Sequence, residues 1–179
     1  LMINPDGVKA QIEGNVIQLQ PGGNTQDHGI YCKDGNGFTI RNNVVQGHYG
    51  YGIHIYHEHK SWTPTEPLYM LNYLIEGNVV SGSRQRAGII IAHGVVRNGQ
   101  PIILKGVTIR NNILYNNALN GILIRKGEDI KVYHNTLVSD DIRLEGGSST
   151  LQNNIIHAAE LQITNQAGAG NTATNNLYW

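Results

Sequence analysis

The chain has 179 residues and no formal net charge, and only 15% of its residues are charged. It therefore lacks the basic surface that binding to nucleic acid or to an anionic membrane requires. Its 21 asparagines, 22 glycines and 22 isoleucines favour strands and turns over helices, and no apolar run is long enough to span a bilayer. We expect one all-β domain over residues 1–179, whose apolar ends are typical of a mature form or of a piece of a longer chain.

One hexad recurs along the whole chain, with an apolar first residue and an asparagine three positions later. Its copies start at Ile12, Ile40, Ile75, Ile109, Val132 and Leu151, and a partial copy ends the chain. The recurring asparagines are residues 15, 43, 78, 112, 135, 154 and 176, so the repeat is 19 to 35 residues long. This length favours a coil whose turns each add short strands to parallel sheets, with the asparagines stacked in a hydrogen-bonded ladder.

A second unit lies between the hexads and starts with glycine in its clearest copies. These copies begin at Gly29, Gly52, Gly88 and Gly121, and looser ones begin at Asp141 and Leu161. Apolar residues alternate with variable ones in both units, which is the pattern of a strand with one buried face. The two units together predict a parallel β-helix of six to seven rungs.

With these repeats the sequence resembles the right-handed parallel β-helix, pectin-lyase-like superfamily over nearly its whole length. The resemblance implies a single-stranded right-handed β-helix that is secreted or displayed at the cell surface and has a polysaccharide as its partner. Members of the superfamily include polysaccharide lyases, uronate epimerases, glycoside hydrolases, phage tailspikes and non-catalytic surface proteins. The fold alone therefore does not select a function.

Equivalent residues of successive rungs are expected to stack about 4.8 Å apart, so the outward-facing positions form columns. On the hexad strand the outward column is Glu13, Arg41, Glu76, Arg110, Tyr133 and Gln152. The alternating signs of the first four predict stabilising ion pairs between neighbouring strands, which need no ligand.

The glycine-initiated strand carries the candidate site. Its first outward column is predicted as Tyr31, His54, Ile90, Leu123, Arg143 and Gln162, and its second as Lys33, Tyr56, Ala92, Arg125, Glu145 and Thr164. Tyr31, Lys33, His54 and Tyr56 are the candidate catalytic residues, because such side chains bind sugars and transfer protons. An ordinary solvated sheet face is the alternative interpretation.

Residues around this patch are candidate substrate-binding groups. His28, Tyr51 and Arg86 are predicted at the opposite corner, where a ring or guanidinium commonly only covers the sheet edge. Arg125 lies on the same strand face but is a poor neutraliser of a substrate carboxylate, because it is three rungs, about 14 Å, from Lys33 and stacks on Glu145. Trp62 lies in the long insertion 57–74, which together with 93–106 is predicted to build a wall beside the patch. The alternative for Trp62 is that it only packs its own loop.

A third column, just past the strand, aligns Asp34, His57, His93 and Lys126. A carboxylate and two imidazoles in adjacent rungs could hold a divalent transition metal, or Asp34 could orient a histidine base. Solvent-facing histidines in turns are the alternative, and the chemistry predicted for the patch requires no cofactor.

The positions of the carboxylates limit which reactions the candidate site could catalyse. A glycoside hydrolase needs two of them across one bond, but Asp140 and Asp141 are adjacent and cannot both point outward from one strand. A calcium-dependent lyase needs several converging oxygen ligands, which the columns do not offer. Proton abstraction at C5 of a uronate remains, with Lys33, His54 or Tyr56 as base or acid.

These observations favour a polysaccharide lyase or epimerase that acts on an acidic glycan. The alternative is a non-catalytic glycan-binding or structural surface module, similar to a segment of an adhesin or tailspike. Because uncovered terminal rungs expose unpaired strand edges, we also expect flanking domains or end-to-end self-association to cap the coil.

Overall fold

The computed structural model describes residues 2–3, 9–18, 23–33, 35–56, 68–94, 102–158, 163–165 and 170–179. These residues form strands and turns and contain no helix, so none that could cross a membrane. Their strands make up three parallel sheets of seven strands each and one of two strands.

The first seven-stranded sheet, here called the site sheet, carries the glycine-initiated units. Its strands, in spatial order, are β1 (Met2–Ile3), β4 (Ile30–Cys32), β7 (Ile53–Ile55), β11 (Ile89–Ile91), β15 (Ile122–Ile124), β18 (Ile142–Leu144) and β21 (Ile163–Asn165). Each strand pairs in parallel with its equivalent one rung away, as the repeat predicts.

The hexads supply the other two large sheets, because each hexad bends at the residue before its ladder asparagine, where φ is positive, as at Asn42 and Gly77. The charged sheet contains β2 (Gln11–Glu13), β5 (Thr39–Arg41), β9 (Leu74–Glu76), β13 (Thr108–Arg110), β16 (Ile130–Tyr133), β19 (Ser149–Gln152) and β22 (Asn171–Thr174). The third sheet contains β3 (Val16–Gln18), β6 (Val44–Gln46), β10 (Val79–Ser81), β14 (Ile113–Tyr115), β17 (Thr136–Val138), β20 (Ile155–His157) and β23 (Leu177–Tyr178). A small fourth sheet pairs β8 (Leu68–Leu71) with β12 (Ile102–Lys105).

The core is built from the inward-facing residues of the three large sheets. The first residues of the hexads, from Ile12 to Leu151, are at most 3% exposed. Cys32 lies in the same core, and burial raises the pKa of its thiol to about 12. Such stacks of branched side chains explain the isoleucine-rich composition, because they pack well between closely spaced parallel strands.

The asparagine ladder is confirmed and runs through the corner between the charged and third sheets. The Asn78 side chain donates to Asn112 Oδ1 at 2.9 Å and to the backbone oxygen of Ile40 at 2.9 Å. Its own Oδ1 accepts from the side chain and the backbone N–H of Asn43. Because these amides are fully buried, each rung depends on its neighbours to satisfy its polar groups.

The alternating charged column is confirmed as well. Arg41 lies 2.8 Å from Glu13, and Arg110 lies 2.8 Å from Glu76. These pairs are partly exposed and join neighbouring rungs directly, so the column is accounted for by the fold itself.

A second polar column lies inside the corner between the third sheet and the site sheet. It contains His48, Ser83, Asn117 and Asp140, all buried. Asn117 donates its backbone and side-chain N–H groups to the two carboxylate oxygens of Asp140. The neighbouring Asp141 is held separately by Asn120, so the two aspartates do not form a catalytic pair.

The predicted register of the last rung was wrong. Thr164, expected in the second outward column, pairs with Arg143 and thus lies in the first, the position expected for Gln162. Gln162 itself lies outside the described residues. Period-two alternation keeps the same side chains outward after a shift of two residues, so the pattern could not distinguish these registers.

Candidate functional site

A glycine precedes the site-sheet strands β4, β7, β11 and β15, and at the first three of these the backbone of the next rung lies too close for a side chain there. A Cβ on Gly52 would lie 2.6 Å from the carbonyl oxygen of Gly88, and one on Gly88 would lie 2.9 Å from that of Gly121. The same two carbonyls accept ladder hydrogen bonds at 2.8 Å, so they cannot move aside. The glycines therefore hold the rungs in register just before the candidate residues.

Backbone pairing sets the outward columns of this sheet. Tyr31 pairs with His54, which pairs with Ile90 in the next rung. The second column is continuous from Lys33 through Tyr56 to Arg125 and beyond, because the backbone N–H of Tyr56, Ala92, Arg125 and Glu145 each bonds to the rung before. Lys33 and Tyr56 thus lie in adjacent rungs, whereas Arg125 is about 14 Å along the axis from Lys33.

This face is more deeply buried than an ordinary solvated sheet surface. His54 is only 8% exposed although its side chain points away from the core, and Ile90 and Leu123 in the same column are 1% and 3% exposed. Tyr51 and Tyr56 pack with these residues in a second apolar cluster, separate from the main core. The other patch residues, Tyr31, Lys33 and Tyr56, are half-buried, and the binding of a ligand by the patch stays a prediction.

A cleft of about 430 Å³ opens on this face. Its lining residues are Thr25, Gln26, His28, Tyr31, Lys33, Tyr51, His54, Tyr56, Arg86, Ile90, Ala92 and Arg125. The four candidate catalytic residues and all the described candidate binding residues thus line one cavity. Trp62 lies outside the described residues, and Thr25 and Gln26 were not predicted because the turn that holds them has no counterpart in the repeat.

Aromatic rings surround the imidazole of His54. The Tyr31 ring stacks on it at 4.7 Å between centroids and 16° between planes, and the Tyr51 and Tyr56 rings lie at 4.6 and 5.1 Å. The His28 ring meets His54 edge-on at 4.4 Å. These five rings pack on one another along the cleft, and aromatic rings are groups that contact the faces of sugars.

Both histidines are held neutral. Burial, together with smaller effects of the nearby His28, Arg125 and Arg86, lowers the pKa of His54 to about 2. Burial likewise lowers the pKa of His28 to about 4, against a smaller opposing effect of Asp27. The Nδ1 atom of His54 is buried and has no hydrogen-bond partner among the described residues, whereas His28 Nδ1 accepts the backbone N–H of Tyr51.

Three cations face the cleft. Lys33 and Arg125 come from the second column, and the Arg86 guanidinium lies 5.8 Å from the centre of the Tyr51 ring. No aspartate or glutamate is among the described lining residues. The cleft thus combines aromatic surface with positive charge, which favours a ligand that is both cyclic and anionic.

A second cleft, of about 450 Å³, lies along the following corner of the coil. It is lined by His93, Ile102, Ile103, Leu104, Arg125, Lys126, Gly127, Glu128, Glu145, Gly146 and Gly147. Arg125 borders both clefts and is bound to Glu145 at 2.8 Å.

The predicted metal column is described only in part. Asp34 and His57 lie outside the described residues. His93 borders the second cleft, and its Nδ1 lies 3.0 Å from the backbone oxygen of Gly94. Within the described ranges no three acidic, histidine or cysteine side chains are placed to hold a metal ion, so a metal at Asp34, His57 and His93 stays a prediction.

Comparison with known proteins bears on the fold. The family model described as "Right handed beta helix region" matches residues 28–179, which cover most of the chain and all seven asparagine-ladder positions except the first. No match is found among the curated proteins or the solved structures. The matched region coincides with the stacked parallel sheets, and the predicted right-handed β-helix is thereby confirmed. The chain belongs to the right-handed β-helix family.

Proposed function

We propose that this protein binds a uronate-containing polysaccharide in the ring-lined cleft and cleaves it by β-elimination. The supporting observation is the composition of the cleft, where five rings and three cations meet without an aspartate or glutamate among the described lining residues. Tyrosine and histidine rings contact the apolar faces of sugars, and the cations balance the carboxylate of each uronate.

The reaction needs a base, an acid and charge stabilisation. The base removes the proton at C5, the C5–H electron pair forms the C4–C5 double bond, and the bond from C4 to the glycosidic oxygen breaks. The acid then donates a proton to the departing oxygen. A cation at the uronate carboxylate stabilises the charge that develops when the C5 proton leaves.

Lys33 and Tyr56 are the residues to which we assign proton transfer. They lie side by side in adjacent rungs, and both are only partly buried at the surface of the cleft. Arg86, together with Arg125 for a longer chain, would neutralise carboxylates. Reprotonation of C5 from the opposite face would give epimerisation on the same site.

His54 receives a positioning role in this proposal. A pKa of about 2 makes its imidazole a weak proton acceptor and leaves it unprotonated near neutral pH, and we therefore do not assign it as the base or the acid. Its ring contacts with Tyr31 and Tyr56 instead hold the sugar-binding surface in place.

A non-catalytic glycan-binding module is the second candidate. The low pKa values of His28 and His54 favour it, because neither histidine of the cleft is tuned for proton transfer at neutral pH. This candidate uses the same rings and cations and predicts binding without turnover.

Ultraviolet absorbance of the unsaturated product decides between the two. We would incubate the protein with pectate, alginate, glycosaminoglycans and neutral glycans, with EDTA and with added zinc or calcium in parallel. Cleavage of an acidic glycan that is lost in Lys33→Met, but kept in the control Lys131→Met on the charged sheet, is the expected result. Glycan binding by calorimetry without any product would overturn the lyase assignment and favour the module. Neither binding nor product on any acidic glycan would overturn both.

A further inference from the structure

Glu145 lines the second cleft beside Arg125, which borders both clefts, and is held by two arginines. Arg125 Nε lies 2.8 Å from one carboxylate oxygen, and Arg143 Nε lies 3.0 Å from the other. The hydrogen bond to Glu145 is the main effect that raises the pKa of Arg125. The Glu145 carboxylate thus already forms an ion pair with Arg125, the arginine that borders both clefts.

We propose that Glu145 is a specificity-determining residue, which weakens the binding of acidic glycan segments long enough to reach Arg125. The inference rests on the proposed binding of an acidic glycan in the first cleft. A glycan carboxylate that arrives at Arg125 meets a guanidinium already engaged by Glu145, and must share it or displace it.

Geometry makes the effect depend on chain length. Lys33 and Arg125 are separated by three rungs, about 14 Å at the spacing of parallel strands. A single uronate bound at Lys33 and Tyr56 does not span this distance, whereas an oligosaccharide lying along the coil does. Glu145 therefore acts on long ligands and leaves the first subsite unchanged.

The chain supplies a matched control for the loss of this carboxylate. Glu76 binds Arg110 Nε at 2.8 Å across neighbouring rungs of the charged sheet. The exposed fractions are 45% and 24% for the Arg110 and Glu76 side chains, against 47% and 23% for Arg125 and Glu145. Glu76→Gln and Glu145→Gln remove the same charge from pairs of nearly equal exposure, but Glu145 also contacts Arg143, and only the Arg125–Glu145 pair borders the clefts.

Calorimetry on the whole chain tests the inference, with galacturonate, oligogalacturonates and oligoalginates of increasing length, and neutral cello-oligosaccharides. Glu145→Gln should bind the longer acidic oligosaccharides about three- to tenfold more tightly than the wild type, with no change for galacturonate or the neutral series. Glu76→Gln should match the wild type, and the gain should vanish when Glu145→Gln is combined with Arg125→Gln.

The outcomes separate this inference from the proposed function. Wild-type binding of acidic oligosaccharides with no gain in Glu145→Gln overturns the inference alone. An equal gain in Glu76→Gln attributes the effect to overall charge, and a gain that persists without Arg125 attributes it to another contact, so either result also overturns it. Absence of acidic-glycan binding in the wild type and in Glu145→Gln overturns both.

Discussion

Tyr31 and His54 are direct partners in the register of the site sheet, and their rings lie parallel with centroids 4.7 Å apart. Stacking of one rung on the next thus creates the same contact that a sugar ring would make with either residue. Equivalent side chains of neighbouring rungs therefore stack on the outer face of the site sheet, as the asparagines do inside the coil.

Two substitutions of His54 distinguish a packing role of its ring from a role in proton transfer. His54→Ala should lower the free energy of unfolding by about 2–4 kcal/mol, because it removes a buried ring from between Tyr31, Tyr51 and Tyr56. His54→Phe keeps a ring there and should retain most of the stability and glycan affinity. Urea denaturation and calorimetry check both variants. A folded His54→Phe protein that binds glycan but has lost all turnover would show that His54 does transfer a proton.

Stability should fall as the pH drops from about 6.5 towards 4. Burial lowers the pKa of His28 and His48 to about 4 and that of His54 to about 2, each from 6.5. Below pH 6.5 the unfolded chain therefore binds protons that the folded chain does not. The buried His48 and His54 each lower the free energy of unfolding by up to about 2 kcal/mol at pH 5, and the half-buried His28 lowers it by less because solvent screens its charge. Asp140 and Asp141 oppose this trend, since their pKa values are raised by burial, that of Asp140 to about 6.

His48→Leu isolates one of these contributions. His48 is fully buried, and neither of its ring nitrogens has a hydrogen-bond partner among the described residues. A leucine of similar volume should raise the free energy of unfolding at pH 5 by about 1–2 kcal/mol relative to the wild type, with a smaller gain at pH 7. Denaturant unfolding at the two pH values measures this difference, and an equal effect at both would contradict the histidine assignment.

Substitution of a ladder asparagine should lower the free energy of unfolding most at the centre of the ladder. Asn78→Ala removes the acceptor of two Asn43 N–H groups and the donor to Ile40 and Asn112, and should cost about 2–5 kcal/mol. Asn15→Ala is the matched change at the exposed first rung, where the side chain only donates, and should cost less than about 1 kcal/mol. Thermal or urea unfolding compares the two, and equal losses would refute the cooperative ladder.

Arg86 should contribute to the binding of acidic glycans specifically. Arg86→Gln removes a cation from the cleft and is expected to weaken that binding about tenfold, while affinity for neutral glycans stays the same. Arg84→Gln is the control, because Arg84 similarly covers a tyrosine ring, that of Tyr49 at 4.9 Å, but does not line the cleft. Equal losses in both variants, measured by calorimetry, would point to a general charge effect.

The sequence by itself determined the coil, the asparagine ladder and the columns of the central rungs. Residues such as Asn78 and Gly52 recur at equivalent positions because each must meet its copy one rung away, and such a requirement is visible in a single sequence. The pattern was insufficient at the last rung, where Thr164 took the position predicted for Gln162, since alternation does not change under a two-residue shift.

Only the tertiary structure decided what the outer face is like. An outward position on a strand does not reveal whether the side chain is covered, and the burial of His54 depends on neighbours from other rungs and corners, such as His28 and Tyr51. That burial packs the His54 ring and lowers its pKa to about 2, whereas its role in proton transfer stays a prediction. The contact of Arg125 with Glu145 was predicted from the second outward column and is confirmed, but its place beside two clefts depends on corner geometry, which the repeat leaves free.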